Sequence, residues 1–223
     1  MAEFKYVIFF IVLIIGVPFN YKMAQKYPNY EKFLWFLILY FTVFMVDINF
    51  VSKEYYKGTS RGFEIGMVDI VVFSLLALII SRKDEHSLKI PPGSFLYGLY
   101  FFFSLISIMN SDYVVESFFE IWKMIRMYIF FFVVYNMFRS FKDFHYILWF
   151  ISFIIIFITL SVLKQKYING IFQCMGPFPH QNSLVMYMIL SGSMVLAYFL
   201  NNKNLKMYYW FPVFGASGID IIS

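Results

Sequence analysis

The chain alternates between long apolar stretches and short polar connections over its whole length. A membrane-spanning helix needs roughly 17–25 residues, and flanking tyrosine, tryptophan and serine positions extend the shorter stretches into that range. The stretches lack the strict alternation of a transmembrane β-strand, so we predict helices throughout. The predicted spans are Phe4–Phe19, Phe33–Val51, Ile65–Ile80, Phe95–Met109, Phe118–Phe138, Phe144–Leu163, Leu184–Leu200 and Met207–Ile222.

Composition also favours a membrane environment. Of the 223 residues, 61% are hydrophobic and only 14% are charged, whereas a soluble domain carries roughly 25% charged residues. A chain with so few polar side chains cannot cover its surface in water, but side chains that face lipid should be apolar. We therefore predict an all-α integral membrane protein, with residues 1–223 forming a single transmembrane domain of about eight spans.

The polar connections differ in positive charge between the two sides of the predicted bundle. Basic residues are more numerous on the side that holds the first–second, third–fourth, fifth–sixth and seventh–eighth connections. The positive-inside rule makes that side cytoplasmic, so the N-terminus and the connection 164–183 face outward. The sequence stops in an apolar segment without a polar tail, and we therefore expect a chain that is truncated at its C-terminus.

Metal and nucleic-acid binding are not indicated. The single cysteine, Cys174, and three widely separated histidines do not have the spacing of zinc ligands. No run of basic residues is dense enough to suggest nucleic acid. We therefore expect no metal, no cofactor and no nucleic-acid partner.

Four ionisable residues lie in or beside the fifth predicted span, where an ionisable side chain costs about 2.5–3.5 kcal/mol on insertion scales. Glu116, Glu120, Lys123 and Arg126 follow one another at helical spacing, so they share one helix face. One interpretation is a neutral Glu120–Lys123 pair that stabilises helix packing. The other is that Lys123 or Arg126 binds an anion.

Arg61 lies between the second and third predicted spans, in the sequence KEYYKGTSRGFEIGMVD. A guanidinium holds a phosphate through two parallel hydrogen bonds, which makes Arg61 a candidate for phosphate binding. The alternative is an arginine whose charged end simply reaches the membrane interface, as long basic side chains do.

The connection into the seventh span contains the most unusual segment, Gly176-Pro-Phe-Pro-His-Gln-Asn182. Pro177 and Pro179 stiffen it and prevent a regular helix. Asn182 or Ser183 is placed to cap the helix that follows, and the backbone N–H groups at that helix N-terminus suit an anion. Capping explains Asn182 but does not explain the whole segment.

This segment resembles the G-x-F-x-H-P-N signature of the O-antigen ligase and polymerase superfamily, with Gln181 where proline is more usual. Three features that precede this segment also occur in the order familiar from the superfamily: RGFE before an acidic third span, the short Asn110–Glu116 connection, and the basic fifth span. The resemblance implies a polytopic enzyme of about twelve spans in the bacterial cytoplasmic membrane, of which this chain covers the first part.

The resemblance also implies an activity. Members of the superfamily transfer a glycan from undecaprenyl diphosphate to an acceptor, such as lipid A-core or a growing polysaccharide, at the outer face of the membrane. They are thought to need neither a metal nor a nucleotide sugar. Their catalytic base is usually a histidine on a later outer loop, so we assign no catalytic residue here and expect this chain alone to be inactive.

The expected site residues follow from the same resemblance. Arginine side chains and the N-terminus of the seventh helix would hold the diphosphate and neutralise its developing charge. The loop before that helix would be shaped by its glycine and prolines and would contact the sugar. The expected substrate-binding residues are Arg61, Lys123, Arg126, His180 and Asn182, and the structural residues of the loop are Gly176, Pro177 and Pro179.

Two other functions fit the same sequence. A transporter or flippase of lipid-linked substrates would also have many spans, charges within the membrane and a proline-rich break, although it would often show internal repeats, which are not apparent here. A non-catalytic membrane subunit is the third alternative.

Overall fold

The computed structural model describes residues 2–52, 62–82, 87–138, 140–201 and 218. Most of the described chain is helical. Its elements are α1 (Ala2–Lys26), α2 (Pro28–Val43), β1 (Asp47–Ser52), β2 (Gly62–Gly66), α3 (Met67–Ser81), α4 (Ser94–Ile108), α5 (Val114–Met137), α6 (Phe141–Leu163) with a π-helical turn (Lys164–Ile168), and α7 (Gln181–Asn201). They form two compact units, the first within Met1–Phe41 and Met45–Arg139 and the second within Thr42–Phe44 and Ser140–Ser223.

The described helices lie close to the predicted spans. Helices α1 to α7 each overlap one of the first seven apolar stretches, in the predicted order. The eighth predicted span, Met207–Ile222, lies outside the described residues except for Gly218. The single transmembrane domain and its truncation at the C-terminus stay predictions.

A β-hairpin follows α2, and the prediction of helices throughout is wrong for this segment. The helix ends at Val43, and the strand β1 then pairs antiparallel with β2, which places Asp47 opposite Gly66. The polar side chains of Asp47 and Asn49 alternate with apolar neighbours. Such alternation suits a strand with two different faces and does not suit a helix that is apolar all round.

Two helices in the described part of the chain are long and apolar enough to cross a membrane, Asp143–Ile168 and Gln181–Asn201. Helices α3 and α4 are apolar but have only 15 residues each. At 1.5 Å per residue each is about 22 Å long, which is short of a hydrocarbon core of about 30 Å. The described residues thus form a mostly helical structure with two candidate membrane-spanning helices, fewer than the predicted number of about eight.

Helix α3 is the core of the first unit. Its side chains Ile70, Leu75 and Leu78 are at most 2% exposed, because α1 and α5 both pack against this helix. Helix α1 packs against α3 at Gly16, where an added Cβ would lie 3.5 Å from Ile70 Cγ2. Apolar contact on two sides therefore fixes α3 in place.

One ion pair joins three helix ends in the same unit. Arg82, directly after α3, places Nη1 2.7 Å from Glu31 Oε2 in the first turn of α2. Its Nη2 donates to the carbonyl of Ala24, near the end of α1, over 3.4 Å. Glu31 is only 9% exposed, so water competes little for this charge-assisted hydrogen bond.

Helices α6 and α7 pack together in the second unit. His145 of α6 connects them, since its Nδ1 lies 2.8 Å from Tyr198 Oη of α7 and its Nε2 lies 2.9 Å from Trp149 Nε1. An indole N–H only donates, so Nε2 of a neutral imidazole accepts this hydrogen bond. The ring proton therefore lies on Nδ1 and is donated to Tyr198.

The hairpin depends on Gly66 having no side chain, and replacement by alanine is expected to destabilise it. In Gly66→Ala the added Cβ would collide with Asp47 Oδ1 and lie 3.1 Å from Asp47 Cγ. We expect a loss of about 1–3 kcal/mol in the free energy of unfolding, as for other overpacked sites. Unfolding of the protein in detergent measures this loss.

Gly98→Ala is the matched control, because an added Cβ there meets nothing within 4 Å. Gly98 lies inside α4, where alanine is expected to stabilise by up to about 1 kcal/mol. Asp47→Ala introduced into the Gly66→Ala protein should restore most of the lost stability. A Gly66→Ala protein as stable as the parent would contradict the close packing of Asp47 on Gly66.

Candidate functional site

Arg126 of α5 is bound to a carboxylate of the protein itself. Its Nε donates to Asp69 Oδ1 over 3.1 Å and its Nη2 to Asp69 Oδ2 over 2.6 Å. Asp69 lies in the first turn of α3 and also accepts the N–H of Gly66 over 2.7 Å. The side chains of Arg126 and Asp69 are 16% and 10% exposed, so this two-pronged pair is largely shielded from water.

Two further carboxylates lie near the same guanidinium. Glu64 Oε2 is 3.9 Å from Arg126 Nη1, and the Glu64 carbonyl accepts the indole N–H of Trp122 over 2.8 Å. Asp47 lies against Gly66, directly opposite it in the hairpin. We call Asp47, Glu64 and Asp69 the carboxylate cluster.

The electrostatics of the carboxylate cluster disfavour added negative charge. Loss of hydration raises the pKa of Asp47, the charge of Arg126 lowers it, and the carboxylates of Glu64 and Asp69 raise it again, so that the net shift is upward. One guanidinium thus faces three acidic groups. A diphosphate at Arg126 would have to displace Asp69 and overcome repulsion from the other two carboxylates.

The two basic residues of the fifth helix therefore differ in their environments. Arg126 forms ion pairs with Asp69 and Glu64, whereas Lys123 is partly exposed and has no ion pair with another described residue. The role predicted for each in anion binding stays a prediction. Arg61 lies outside the described residues.

The segment before α7 is held by one side-chain amide, that of Gln165 in the π-helical turn. Gln165 Oε1 accepts the N–H groups of Met175 over 3.1 Å and of Gly176 over 2.9 Å, and its Nε2 donates to the Gly176 carbonyl over 2.8 Å. We call these three hydrogen bonds the Gln165 clamp. They satisfy both backbone polar groups of Gly176 with one side chain.

Gly176 has a backbone conformation that favours glycine, with φ of 57°. An added Cβ would also lie 3.3 Å from Val162 Cγ2 of α6 and 3.7 Å from Leu184 Cδ1 of α7. Both the left-handed conformation and the close packing between α6 and α7 require a residue without a side chain. The structural role predicted for Gly176 therefore has a physical basis.

The polar end of this segment is exposed. Pro179, His180 and Asn182 are all exposed, while Pro177 is half-buried. The carbonyl of His180 accepts the N–H groups of Ser183 over 3.1 Å and of Leu184 over 3.3 Å. The helix therefore begins at Gln181. Asn182 and Ser183 already lie in its first turn, so the expectation that one of them caps the helix is wrong.

The predicted site residues lie in two different units. Lys123 and Arg126 belong to the first unit, and Gly176, His180 and Asn182 belong to the second. No protein family, curated protein or solved structure matches the chain. The contacts of each group of residues are thus the evidence on which a functional proposal depends.

Two residues that build these sites, Asp47 in the carboxylate cluster and Gln165 in the clamp, are not predicted from the sequence. Asp47 was assigned to the second span, although an acidic residue near the end of an apolar stretch is a signal that the span ends earlier. Gln165 had no such signal, because its contacts depend on the π-helical turn and on a loop ten residues further along the chain. Turns of this kind are frequent at functional sites.

Removal of one partner of the Arg126–Asp69 pair is expected to destabilise the first unit. Asp69→Asn or Arg126→Met should each lower the free energy of unfolding by about 3 kcal/mol, because each leaves one charge shielded from water without its partner. The double variant should lose less than the sum of the two. Unfolding in detergent gives all three values, and strictly additive losses would show that the pair contributes no coupling.

Loss of the Gln165 clamp is expected to free the backbone of Met175 and Gly176. In Gln165→Met the side chain keeps its length but loses all three hydrogen bonds, so hydrogen exchange at these two amides should accelerate at least about tenfold. Gln181→Met is the control, because Gln181 is exposed at the start of α7. Equal exchange in the parent and the Gln165→Met protein would contradict the clamp.

Proposed function

We propose that this protein is a multi-span integral protein of the bacterial cytoplasmic membrane that resembles O-antigen ligases. It would take part in the transfer of a glycan from undecaprenyl diphosphate to an acceptor, lipid A-core or a growing polysaccharide, at the outer face of that membrane. The observation that carries the proposal is the segment Gly176–Asn182, whose first residue is packed and clamped while its last residues are exposed.

The exposed surface of α7 supports a membrane location. Four large apolar side chains of this helix are between 53% and 70% exposed: Met186, Ile189, Leu190 and Leu200. A soluble protein rarely leaves a large contiguous apolar surface in water, whereas a lipid environment stabilises one. The proposal applies the same argument to the other apolar helices, which would also span the membrane.

The loop before α7 supports recognition of the donor. The Gln165 clamp fixes Gly176, so the chain enters α7 in one defined direction. His180 and Asn182 then lie exposed at the N-terminal end of this helix, where the helix dipole and the N–H groups of the first turn attract negative charge. An imidazole, an amide and these N–H groups together suit a phosphorylated sugar.

Lys123 is the better candidate of the two α5 residues for a contact with the diphosphate. Its ammonium group has no ion pair with another described residue, while Arg126 is engaged by Asp69. An ammonium group attracts phosphate as a point charge without needing a fixed geometry. Arg126 would then contribute through the stability of the unit and not through direct contact.

Binding of the lipid-linked donor tests the proposal. The full chain in lipid nanodiscs is titrated with an undecaprenyl-diphosphate-linked oligosaccharide, and the bound fraction is measured by native mass spectrometry. We expect saturable binding to the parent protein. In His180→Ala/Asn182→Ala, we expect affinity to fall at least about tenfold, which corresponds to about 1.4 kcal/mol.

Gln181→Ala is the matched control, since Gln181 is exposed between the two altered residues. It should bind the donor as the parent does. Binding to the protein no stronger than to empty nanodiscs would overturn the proposal. An identical affinity of the parent and the double variant would remove the loop from the site.

A further inference from the structure

A polar cavity between α4 and α5 has no part in the contacts described so far. It has a volume of about 580 Å³ and lies between the second half of α4 and the first half of α5. Cavities that bind small molecules typically have about 300–1,000 Å³. Its polar lining consists of Ser104, Ser107, Asn110, Ser111, Ser117 and Glu120.

This polar lining is a local feature of the two helices. A second cavity of about 320 Å³ lies between other parts of α4 and α5 and is lined mainly by apolar and aromatic groups, such as Phe101, Ile125 and Ile129. Small polar residues between membrane helices commonly hydrogen-bond across the interface, whereas Ser104 donates within its own helix. The cluster of hydroxyl and amide groups in the larger cavity therefore needs a separate explanation.

Two serines of the cavity wall already donate their hydroxyl hydrogens. Ser104 Oγ donates to the Tyr100 carbonyl over 2.8 Å, and Ser117 Oγ donates to the Tyr113 carbonyl over 2.9 Å. The capacity that remains lies in their oxygen lone pairs, of which Ser117 uses one to accept from Ser111 Oγ over 2.9 Å. A wall of hydroxyl oxygens beside a carboxylate suits a ligand with many O–H donors.

The charge of the wall distinguishes among such ligands. Glu120 is acidic, and none of the described residues that line the cavity is basic. A phosphate or diphosphate would therefore be repelled. Tyr100 is 64% exposed and lines the same cavity, and an aromatic ring offers an apolar face to the C–H groups of a sugar ring.

We propose that this serine-lined cavity binds an uncharged sugar ring. The oxygens of Ser104, Ser107 and Ser117 and the carboxylate of Glu120 would accept its hydroxyl groups, and the ring of Tyr100 would contact its apolar face. The cavity adjoins the 109–113 connection, which the charge bias of the sequence predicts on the outer side of the membrane. That the natural ligand is the glycan of the lipid-linked donor rests on the proposed function.

Free sugars test the cavity separately from the lipid-linked donor. The full chain is purified in an amine-oxide detergent, which carries no sugar headgroup, and saturation-transfer NMR is recorded with N-acetylglucosamine, galactose, glucose and glucose 1-phosphate. We expect dissociation constants of about 1–10 mM for at least one neutral sugar. Glucose 1-phosphate should bind at least about fivefold more weakly than glucose, because of Glu120.

Two variants relate the signal to the cavity. Ser104→Val should reduce the saturation transfer at least about fivefold, because it replaces an acceptor with a methyl group in the wall. Ser193→Val is the matched control: Ser193 Oγ also donates to a carbonyl of its own helix, that of Leu190, over 2.9 Å, but it lies on α7. It should leave the signal unchanged.

Four results would overturn the proposal. Three of them are no saturation transfer to any neutral sugar, an equal loss in both variants, and stronger binding of glucose 1-phosphate than of glucose. Glycerol at the same concentration distinguishes a sugar ring from the glycerol of a lipid headgroup, and equal displacement by glycerol would also overturn it. If the protein binds free sugars but not the lipid-linked donor in nanodiscs, the cavity is a sugar site and the proposed function is wrong. If it binds the donor but not free sugars, only the proposal for the cavity is wrong.

Discussion

The first unit depends on one shielded ion pair, between Arg126 of α5 and Asp69 of α3. Asp69 is also bound to the backbone of Gly66, where the hairpin joins α3. The same few atoms therefore hold together two helices and a hairpin that are far apart in the sequence. A charge that is shielded from water without its partner is costly, so these elements are expected to form together. Within the charged stripe of α5, Arg126 is therefore first of all a structural residue.

The second unit fixes its loop without using charge. The Gln165 side chain satisfies three backbone groups of the segment before α7, and Gly176 has a left-handed conformation in which an added Cβ would lie 3.3 Å from Val162 Cγ2. A neutral amide is easier to shield from water than an ion, and it does not attract counterions from outside. His180 and Asn182 are therefore left exposed without contributing to this clamp. That division separates the residues that build the loop from those that are available to a ligand.

The positions of the helices could be predicted, since apolar stretches of this length leave few other structures for the backbone. The hairpin could not, because the alternation of Asp47 and Asn49 is short and follows directly on a long apolar stretch, and because the pairing of Asp47 with Gly66 joins distant positions of the chain. The importance of Gly176 followed from its place in a recognisable segment, but the Gln165 clamp did not, because it depends on a π-helical turn that has no clear sequence signal. The partner of Arg126 was also hidden, since a helical stripe shows which face is polar but not which residue of another helix it meets.

The short length of α4 has a consequence for the surrounding lipid. Its 15 residues expose large apolar side chains on several sides, among them Phe95, Phe102 and Phe103. In a bilayer, a hydrophobic surface about 22 Å long beside acyl chains that fill about 30 Å draws the two leaflets together, at a cost of a fraction of a kcal/mol per Å. In the proposed membrane location, the acyl-chain length of the surrounding lipids would thereby act on this protein. Shorter lipids would relieve the mismatch, and longer lipids would increase the force on the α4–α5 pair.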